Sequence, residues 1–304
     1  MKCLHPLWIE HPTLKKLKRY GFENTFTEES PIPIPCGKCH ECLKRKASDW
    51  KLRLIHEWKY STKTAWFVTL TIDPAYYSPD LNPSVLMRSF LESIRHATGK
   101  SVRHWFVTEL GEEHDRLHFH GIVFDCSLTF NEFRKHWKFG FSWLGYCTDR
   151  TIFYIVKYIL KPQFNHKPKV FCSRGIGKDY VNDRTISLHN RGHDGVFYVV
   201  VNGFRYTLPR YYRSKLFPDD WLQSQRDLLA DKIPKMLVNG IEYRDISQYQ
   251  KARENAYSDS LKRGTSLPCF TDTSALIRST NDAYDSSLYV KPPKFVVQYY
   301  GLTS

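Results

Sequence analysis

Two histidines and an upstream glutamate have the types and spacing of a metal site. His118 and His120 are two positions apart in the string LHFHGIVF, so on a strand both imidazoles project from one face. Glu109 ends the preceding apolar run, and a hairpin would bring its carboxylate beside the pair. Such a set can hold a divalent cation, which we expect to be Mg²⁺ or Mn²⁺, and leave positions open for substrate oxygens. The alternative is a histidine pair on a solvated sheet face.

A second reactive pattern combines phenols with ammonium groups. The residues recur three and four positions apart, a spacing that places them together on the side of a helix opposite its apolar residues; they are Tyr154, Lys157, Tyr158 and Lys161. A tyrosine oxygen can attack a phosphodiester, although a phenol is only about one part in a thousand ionised at neutral pH. Lysines lower that pKa, and a metal polarises the phosphate. A tyrosyl phosphate conserves the bond energy for rejoining. The alternative is an amphipathic cover over a core.

Closely spaced cysteines form a third pattern. Three thiols follow one another at two-residue gaps in the string PCGKCHEC, namely Cys36, Cys39 and Cys42. Sites with four thiolate ligands suit zinc, and we expect Cys3 to be the fourth ligand, with His40 or His5 as competitors. An iron–sulfur cluster and three buried thiols are the alternatives.

The composition is that of a folded, basic protein. The chain has 304 residues with 45 Lys+Arg against 31 Asp+Glu, a net charge of +14, and 41% hydrophobic residues. This excludes a disordered chain and favours nucleic acid as a partner. Because no apolar run approaches the roughly 20 residues of a membrane span and no signal core is visible, we expect no membrane partner and a cytoplasmic location. The eight cysteines are then expected to be thiols.

The elements that must position these residues form an α+β pattern. Residues 103–110 and 117–124 are predicted to be strands of one hairpin, and residues 65–72 a buried strand. Helices are predicted at 83–96, 130–138 and 150–161. This order predicts a central antiparallel sheet with helices packed on one face.

The flanking regions complete the predicted organisation. We expect three consecutive parts: a Cys-rich basic segment at 1–62, a core at 63–185, and an extension at 186–304. The extension contains two β-rich runs around Asn202-Gly203, the strongest two-residue signal for a hairpin. A helix is predicted over 219–237 and a flexible tail after it.

Together, these motifs resemble the rolling-circle replication initiators of the HUH endonuclease superfamily. The string TLTID at 69–73 is similar to the family's first motif, the His pair to its second, and the Tyr pair to its third. The two tyrosines and the PCGKCHEC segment look most like initiators of the microviruses, in the gokushovirus branch. Glu109 lies where the family often has a third metal ligand. The resemblance covers about residues 65–161.

The resemblance implies an HUH endonuclease-like fold and a mechanism. One tyrosine nicks the origin strand, keeps the 5′ phosphate and frees a 3′ hydroxyl for host polymerase; the second tyrosine later cuts the regenerated origin while the displaced circle is closed. Single-stranded DNA and origin DNA are the implied substrates, in the host bacterial cytoplasm. Because no P-loop of the form G-x-x-x-x-G-K-[ST] occurs, a host helicase would unwind the duplex. Spacing alone does not say which tyrosine acts first.

Two other functions are compatible with the same residues. An HUH transposase would need only one of the tyrosines. A zinc-stabilised single-strand-binding protein would have a structural His pair and would bind DNA without forming a covalent adduct.

Overall fold

The structure is a computed structural model that describes residues 3–9, 32–60, 65–78, 81–111, 116–161, 168–191, 195–222 and 236–267. The chain divides into two compact units: one comprises residues 1–43 and 225–304, and the other comprises residues 44–224. The boundaries predicted near residues 62 and 185 do not coincide with this division. The second unit reaches past both of them because its core includes residues from 47 to 201.

The described strands and helices are as follows. In chain order the strands are β1 (Leu7–Ile9), β2 (Ile32–Ile34), β3 (Ala65–Thr71), β4 (Arg103–Leu110), β5 (Leu117–Phe124), β6 (Ser142–Tyr146), β7 (Val170–Cys172), β8 (Tyr198–Val201), β9 (Phe204–Thr207), β10 (Met236–Val238) and β11 (Ile241–Tyr243). The helices are α1 (His40–Tyr60), α2 (Pro83–Thr98), α3 (Phe130–Lys135), α4 (Asp149–Ile155), α5 (Asp183–His189), α6 (Arg210–Leu216) and α7 (Ile246–Lys262).

A five-stranded antiparallel sheet is the centre of the larger unit. Its strand order is β6-β3-β5-β4-β7. The predicted hairpin of β4 and β5 is confirmed, with the bounds expected from the sequence. β6 was not predicted, because its residues belong to an aromatic run with no clear period.

Helices cover both faces of this sheet, so the prediction of helices on one face is wrong. Leu52 of α1 and Ile152 of α4 join the core on the face of Phe67, whereas Phe90 of α2 and Phe133 of α3 join the core on the other face. The physical reason was already visible in the strands. A sheet buried on both faces has nearly continuous apolar strands, as β3 and β4 do, rather than alternating ones.

Local signals explain where several elements begin and turn. Asn82 caps α2 by accepting a hydrogen bond from the backbone N–H of Ser84. The predicted hairpin at Asn202-Gly203 is confirmed: both residues have positive φ, as a tight turn between antiparallel strands requires. A second Asn-Gly pair, at residues 239–240, joins β10 to β11 by the same means and was missed.

The prediction of a helix over 219–237 is only partly covered by the structure. Residues 219–222 are helical, most of the remainder lies outside the described residues, and Met236 and Leu237 at its end belong to β10. The predicted tail overlaps α7 at its start, and residues 268–304 lie outside the described part. None of the described helices combines the length and the apolar character that crossing a membrane demands.

Candidate functional site

The predicted metal ligands lie on one face of the central sheet. β4 and β5 pair so that Glu109 lies opposite His118, while Val107 lies opposite His120. Oε2 of Glu109 is 3.0 Å from Nε2 of His120. The hairpin therefore brings the carboxylate to the second histidine of the pair, across one strand interval.

Two threonines of the adjacent strand β3 orient the imidazoles. Thr69 and Thr71 lie opposite His120 and His118. Their Oγ1 atoms are 3.2 Å and 3.5 Å from the corresponding Nδ1 atoms. A partner at Nδ1 fixes the ring and directs Nε2 toward the site, as is usual for metal-binding histidines. Sequence reasoning missed this role, although the two-residue spacing of the threonines in TLTID matches that of the histidines.

His118 is close to the other two ligands but does not converge with them. The ring centroids of His118 and His120 are 6.1 Å apart. Across the described ranges, the group that meets the spacing of a preformed metal site, with three or more ligand atoms all within 4.8 Å of one another, consists of cysteines. The structure thus joins Glu109 to His120 and places His118 beside them.

The helix that carries the tyrosines changes type between them. α4 ends at Ile155, and a 3₁₀ helix follows over Val156–Leu160. A 3₁₀ helix has three residues per turn instead of 3.6, so the side chains beyond Ile155 rotate away from the α-helical pattern. Tyr158 is consequently buried, with 4% of its surface exposed, and its ring stacks on His120 at 3.9 Å between centroids. The prediction that Tyr158 lies on the polar side of the helix is wrong.

Tyr154 is the accessible phenol of the pair. It is 47% exposed, and its hydroxyl accepts a hydrogen bond from the hydroxyl of Tyr158 at 2.8 Å. This hydrogen bond, together with the ammonium group of Lys157, lowers the pKa of Tyr154. Burial raises the pKa of Tyr158, and its donation to Tyr154 raises it further. Tyr154 is therefore both the more exposed and the more acidic of the two tyrosines.

The two predicted lysines serve different neighbours. Nζ of Lys157 lies 3.5 Å from the centroid of the Tyr154 ring. Nζ of Lys161 is 3.5 Å from Oε1 of Glu109. One ammonium group thus accompanies the exposed phenol, and the other compensates the carboxylate.

The donor set at Glu109 fits a divalent cation. Burial acts to raise the pKa of Glu109, but the hydrogen bond and charge of His120 and the charge of Lys161 outweigh it, so the pKa lies below its usual value. The carboxylate is therefore ionised at neutral pH. Neighbouring ligands of an octahedral ion, each about 2.1 Å from it, are about 3.0 Å apart. The separation of 3.0 Å between Glu109 and His120 is compatible with two such positions.

The four predicted cysteines meet in the smaller unit. The Sγ atoms of Cys3, Cys36, Cys39 and Cys42 all lie within 4.8 Å of one another. Sγ of Cys3 is 3.6 Å from that of Cys36 and 3.8 Å from that of Cys39. Cys3, rather than His5 or His40, thus completes the group.

Backbone donors surround the sulfur atoms as they do in thiolate sites. The N–H groups of Lys38 and Cys39 point at Sγ of Cys36, at 3.4 Å and 3.2 Å. The N–H of Leu4 points at Sγ of Cys39 at 3.4 Å. Hydrogen bonding by Cys3 is the main cause that lowers the pKa of Cys39 to about 7. Such a cluster supplies the donor set of a four-coordinate metal site.

Comparison with known proteins gives two findings. The family of the replication-associated protein ORF2 matches residues 65–163, which hold the sheet and the tyrosines. The replication-associated protein ORF4 of Chlamydia phage 1 is 24% identical over 244 residues, or 66% of this chain. The match covers 60% of the phage protein's own length. No solved structure matches. The chain is thus similar to a microvirus replication protein, and the resemblance drawn from the motifs is confirmed.

Proposed function

We propose that this chain, which contains a replication-associated ORF2 domain, is a replication initiator that nicks one strand of circular DNA through a tyrosyl 5′-phosphate. The carrying observation is the position of Tyr154. Its hydroxyl is exposed, accepts a hydrogen bond from Tyr158, and lies on the sheet face that also carries Glu109 and His120. We further propose that the α+β sheet is an HUH endonuclease fold.

Tyr154 is the first nucleophile in this proposal. Its phenolate oxygen attacks the scissile phosphorus, so an O–P bond to Tyr154 forms as the bond from phosphorus to the 3′ oxygen breaks. The phenol proton passes to solvent, and the departing 3′ oxygen takes up a proton to become a hydroxyl. Lys157 favours the phenolate because its ammonium group lies against the ring. The phosphodiester energy is retained in the covalent intermediate, so a 3′ hydroxyl can later reverse the step and join the strand.

The proposed metal is Mg²⁺ or Mn²⁺, held by Glu109 and His120 with His118 as the third ligand. When bound, a divalent cation withdraws charge from the scissile phosphate. Thr69 and Thr71 keep the imidazoles in place, and Lys161 balances the charge of the carboxylate.

Tyr158 is the second nucleophile. It is buried against His120, and its hydroxyl is committed to Tyr154. Once Tyr154 carries the DNA, it no longer offers the same acceptor, and Tyr158 can turn toward a regenerated origin. Copying and unwinding of the strand are assigned to host polymerase and helicase, which places the reaction in the bacterial cytoplasm.

The test is a covalent-adduct assay with a single-stranded, origin-bearing DNA fragment and Mg²⁺ or Mn²⁺, resolved on a denaturing gel. We expect Tyr154→Phe to lose at least about 100-fold in the rate of the first adduct, because it removes the nucleophile. Tyr158→Phe should keep the first adduct but lose the second cleavage. Tyr146→Phe is the matched control, because Tyr146 is an exposed tyrosine outside the site.

Other outcomes would select the alternatives. If Tyr158→Phe supports cleavage and rejoining as fully as the wild type does, a single-tyrosine transposase is favoured. If the wild type binds the fragment with either metal but never forms an adduct, the chain is a single-strand-binding protein and the proposed nicking is wrong.

We also infer that the four cysteines bind Zn²⁺. The thiolate donor set and the convergence of the sulfur atoms support this assignment. Protein purified under reducing conditions should contain about one zinc per chain, measured by elemental analysis, and Cys39→Ser should lower this content sharply. Cys126→Ser is the control, because Cys126 lies outside the cluster. Iron with sulfide in place of zinc, or zinc unaffected by Cys39→Ser, would contradict the inference.

A further inference from the structure

An exposed tryptophan lies on the same sheet face as the proposed site. Trp143 is in β6, the edge strand of the five-stranded sheet, and 47% of its surface is exposed. It lies opposite Thr69, and Thr69 in turn lies opposite His120. Directly paired residues point to the same face of a sheet. The indole therefore shares the face of His120, two strands away from it.

The local sequence holds this indole in a defined position. A side chain at Gly145, two residues further along the same face, would meet the ring: a Cβ there would be 2.5 Å from Cη2 of Trp143. The glycine thus leaves room for the indole to lie across the strand. On its other side the indole contacts the edge of Phe67, with ring centroids 5.9 Å apart.

Phe67 also connects the indole to the nucleophile. Its ring centroid is 6.2 Å from that of Tyr154. Trp143 and Tyr154 thus flank one buried ring, and each keeps about half of its surface exposed. A large apolar ring left exposed beside a reactive hydroxyl is a surface on which a substrate group can stack.

We propose that Trp143 is a nucleobase-binding subsite: its indole stacks on an unpaired base of the DNA strand adjacent to the phosphate attacked by Tyr154. The inference rests on the proposed function, since DNA is the substrate. Stacking of bases on aromatic side chains is the usual way in which proteins hold single strands, and every base has a face to offer. Because Trp143 touches a base and not the reacting atoms, it is a positioning residue that affects binding more than the chemical step.

The first test measures binding and cleavage separately with a fluorescently labelled single-stranded origin fragment. Replacing one stacking ring typically weakens binding by about 10-fold to 100-fold. We expect Trp143→Ala to raise the DNA concentration that gives half-maximal adduct rate by such a factor, with a much smaller change in the maximal rate. Trp143→Phe should restore most of the affinity, because a phenyl ring still stacks.

Tyr146→Ala is the matched control on the same strand. Tyr146 is 78% exposed, but it lies opposite Trp66 and packs near Phe130, on the other face of the sheet. Its removal should leave both parameters unchanged. Thermal unfolding of all three variants establishes that they fold.

The second test locates the base. Origin fragments are made with a single abasic nucleotide at successive positions around the cleavage site. Wild type should lose affinity at one position near the site, whereas Trp143→Ala should be insensitive there, because the partner of the missing base is already gone.

The outcomes separate this inference from the proposed function. Unchanged half-saturation in Trp143→Ala, or the same abasic profile in both proteins, overturns the subsite. If the wild type binds the fragment without forming an adduct, the nicking proposal fails. In that case the affinities and abasic profiles of the two proteins, measured by fluorescence anisotropy, still decide whether Trp143 holds a base.

Discussion

At the scale of single residues, Gly121 shows why the histidine motif ends in glycine. A Cβ at this position would lie 2.0 Å from Cδ1 of Phe106, whose ring covers the strand there. We expect Gly121→Ala to lower the free energy of unfolding by about 1–3 kcal/mol, the usual cost of overpacking a core. The cost should shrink when Phe106→Leu is present, because the smaller side chain vacates the space. Denaturant unfolding of the four proteins of this cycle measures the coupling, and an equal cost in both backgrounds would contradict the explanation.

A buried ion pair is the second feature at this scale. Glu57 has no exposed side-chain surface; both of its oxygens accept hydrogen bonds from Arg103, and one also accepts the N–H of Gly177. Removing the cation leaves a buried carboxylate without its charge partner. We therefore expect Arg103→Leu to lower the free energy of unfolding by about 3–5 kcal/mol. Denaturant unfolding checks the value.

A surface pair provides the comparison for that prediction. Arg95 and Glu92 also form an ion pair, but their side chains are 47% and 49% exposed. Solvent screens such pairs, so Arg95→Leu should cost less than about 1 kcal/mol. Similar losses for the two arginine variants would show that burial does not set the contribution of Arg103.

At the scale of secondary-structure elements, the sequence specifies the strands better than the tyrosine helix. The bounds of β4 and β5 follow from apolar runs separated by a polar connection, and these features are local. The burial of Tyr158 is not local. It depends on the change from α-helix to 3₁₀ helix after Ile155 and on the stacking surface of His120, which only the assembled sheet provides. Trp143 was overlooked for the same reason, since its face is set by pairing with β3.

The start of α4 should control how well Tyr154 is positioned. Thr148 caps this helix and forms a reciprocal pair of hydrogen bonds with Thr151. Loss of such a cap typically costs about 1 kcal/mol, so Thr148→Ala should lower the free energy of unfolding by that amount. It should also slow adduct formation several-fold, because the first turn of α4 anchors the nucleophile. Thr148→Ser, which keeps the capping oxygen, should behave as wild type.

α3 supplies the matched control for the cap of α4. Thr129 caps α3 with the same type of reciprocal bonds, but α3 lies on the other face of the sheet and carries no tyrosine. Thr129→Ala should therefore lose similar stability while keeping the adduct rate of the wild type. If both cap variants slow the reaction equally, the effect is one of general stability and the positioning role of α4 is wrong.

At the scale of the whole molecule, the two units are assembled from chain segments in ways that composition does not reveal. The cysteines were predicted to cluster, but the partner of the cluster could not be. In the smaller unit, Cys3 and Cys39 pack with Met236 and Tyr249, more than 190 residues away in sequence. Arg253 of α7 donates to the carbonyl of Leu4 at 3.5 Å. Contacts of such sequence separation leave no local pattern, so the sequence predicted consecutive segments instead.

Zinc should therefore stabilise the smaller unit selectively. Its apolar core is small, and metal binding contributes folding free energy when ligands from distant segments must be brought together. We expect a zinc-selective chelator, used with Mg²⁺ present, to open α7 to trypsin at sites such as Arg253, while fragments from residues 44–224 stay protected. Cys39→Ser should be cleaved in the same region without chelator, and added Zn²⁺ should restore protection only in the wild type. The fragments are identified by mass spectrometry. Unchanged cleavage on chelation would mean that packing alone holds this unit together, and a simultaneous loss of protection in both units would mean that the metal stabilises the chain as a whole.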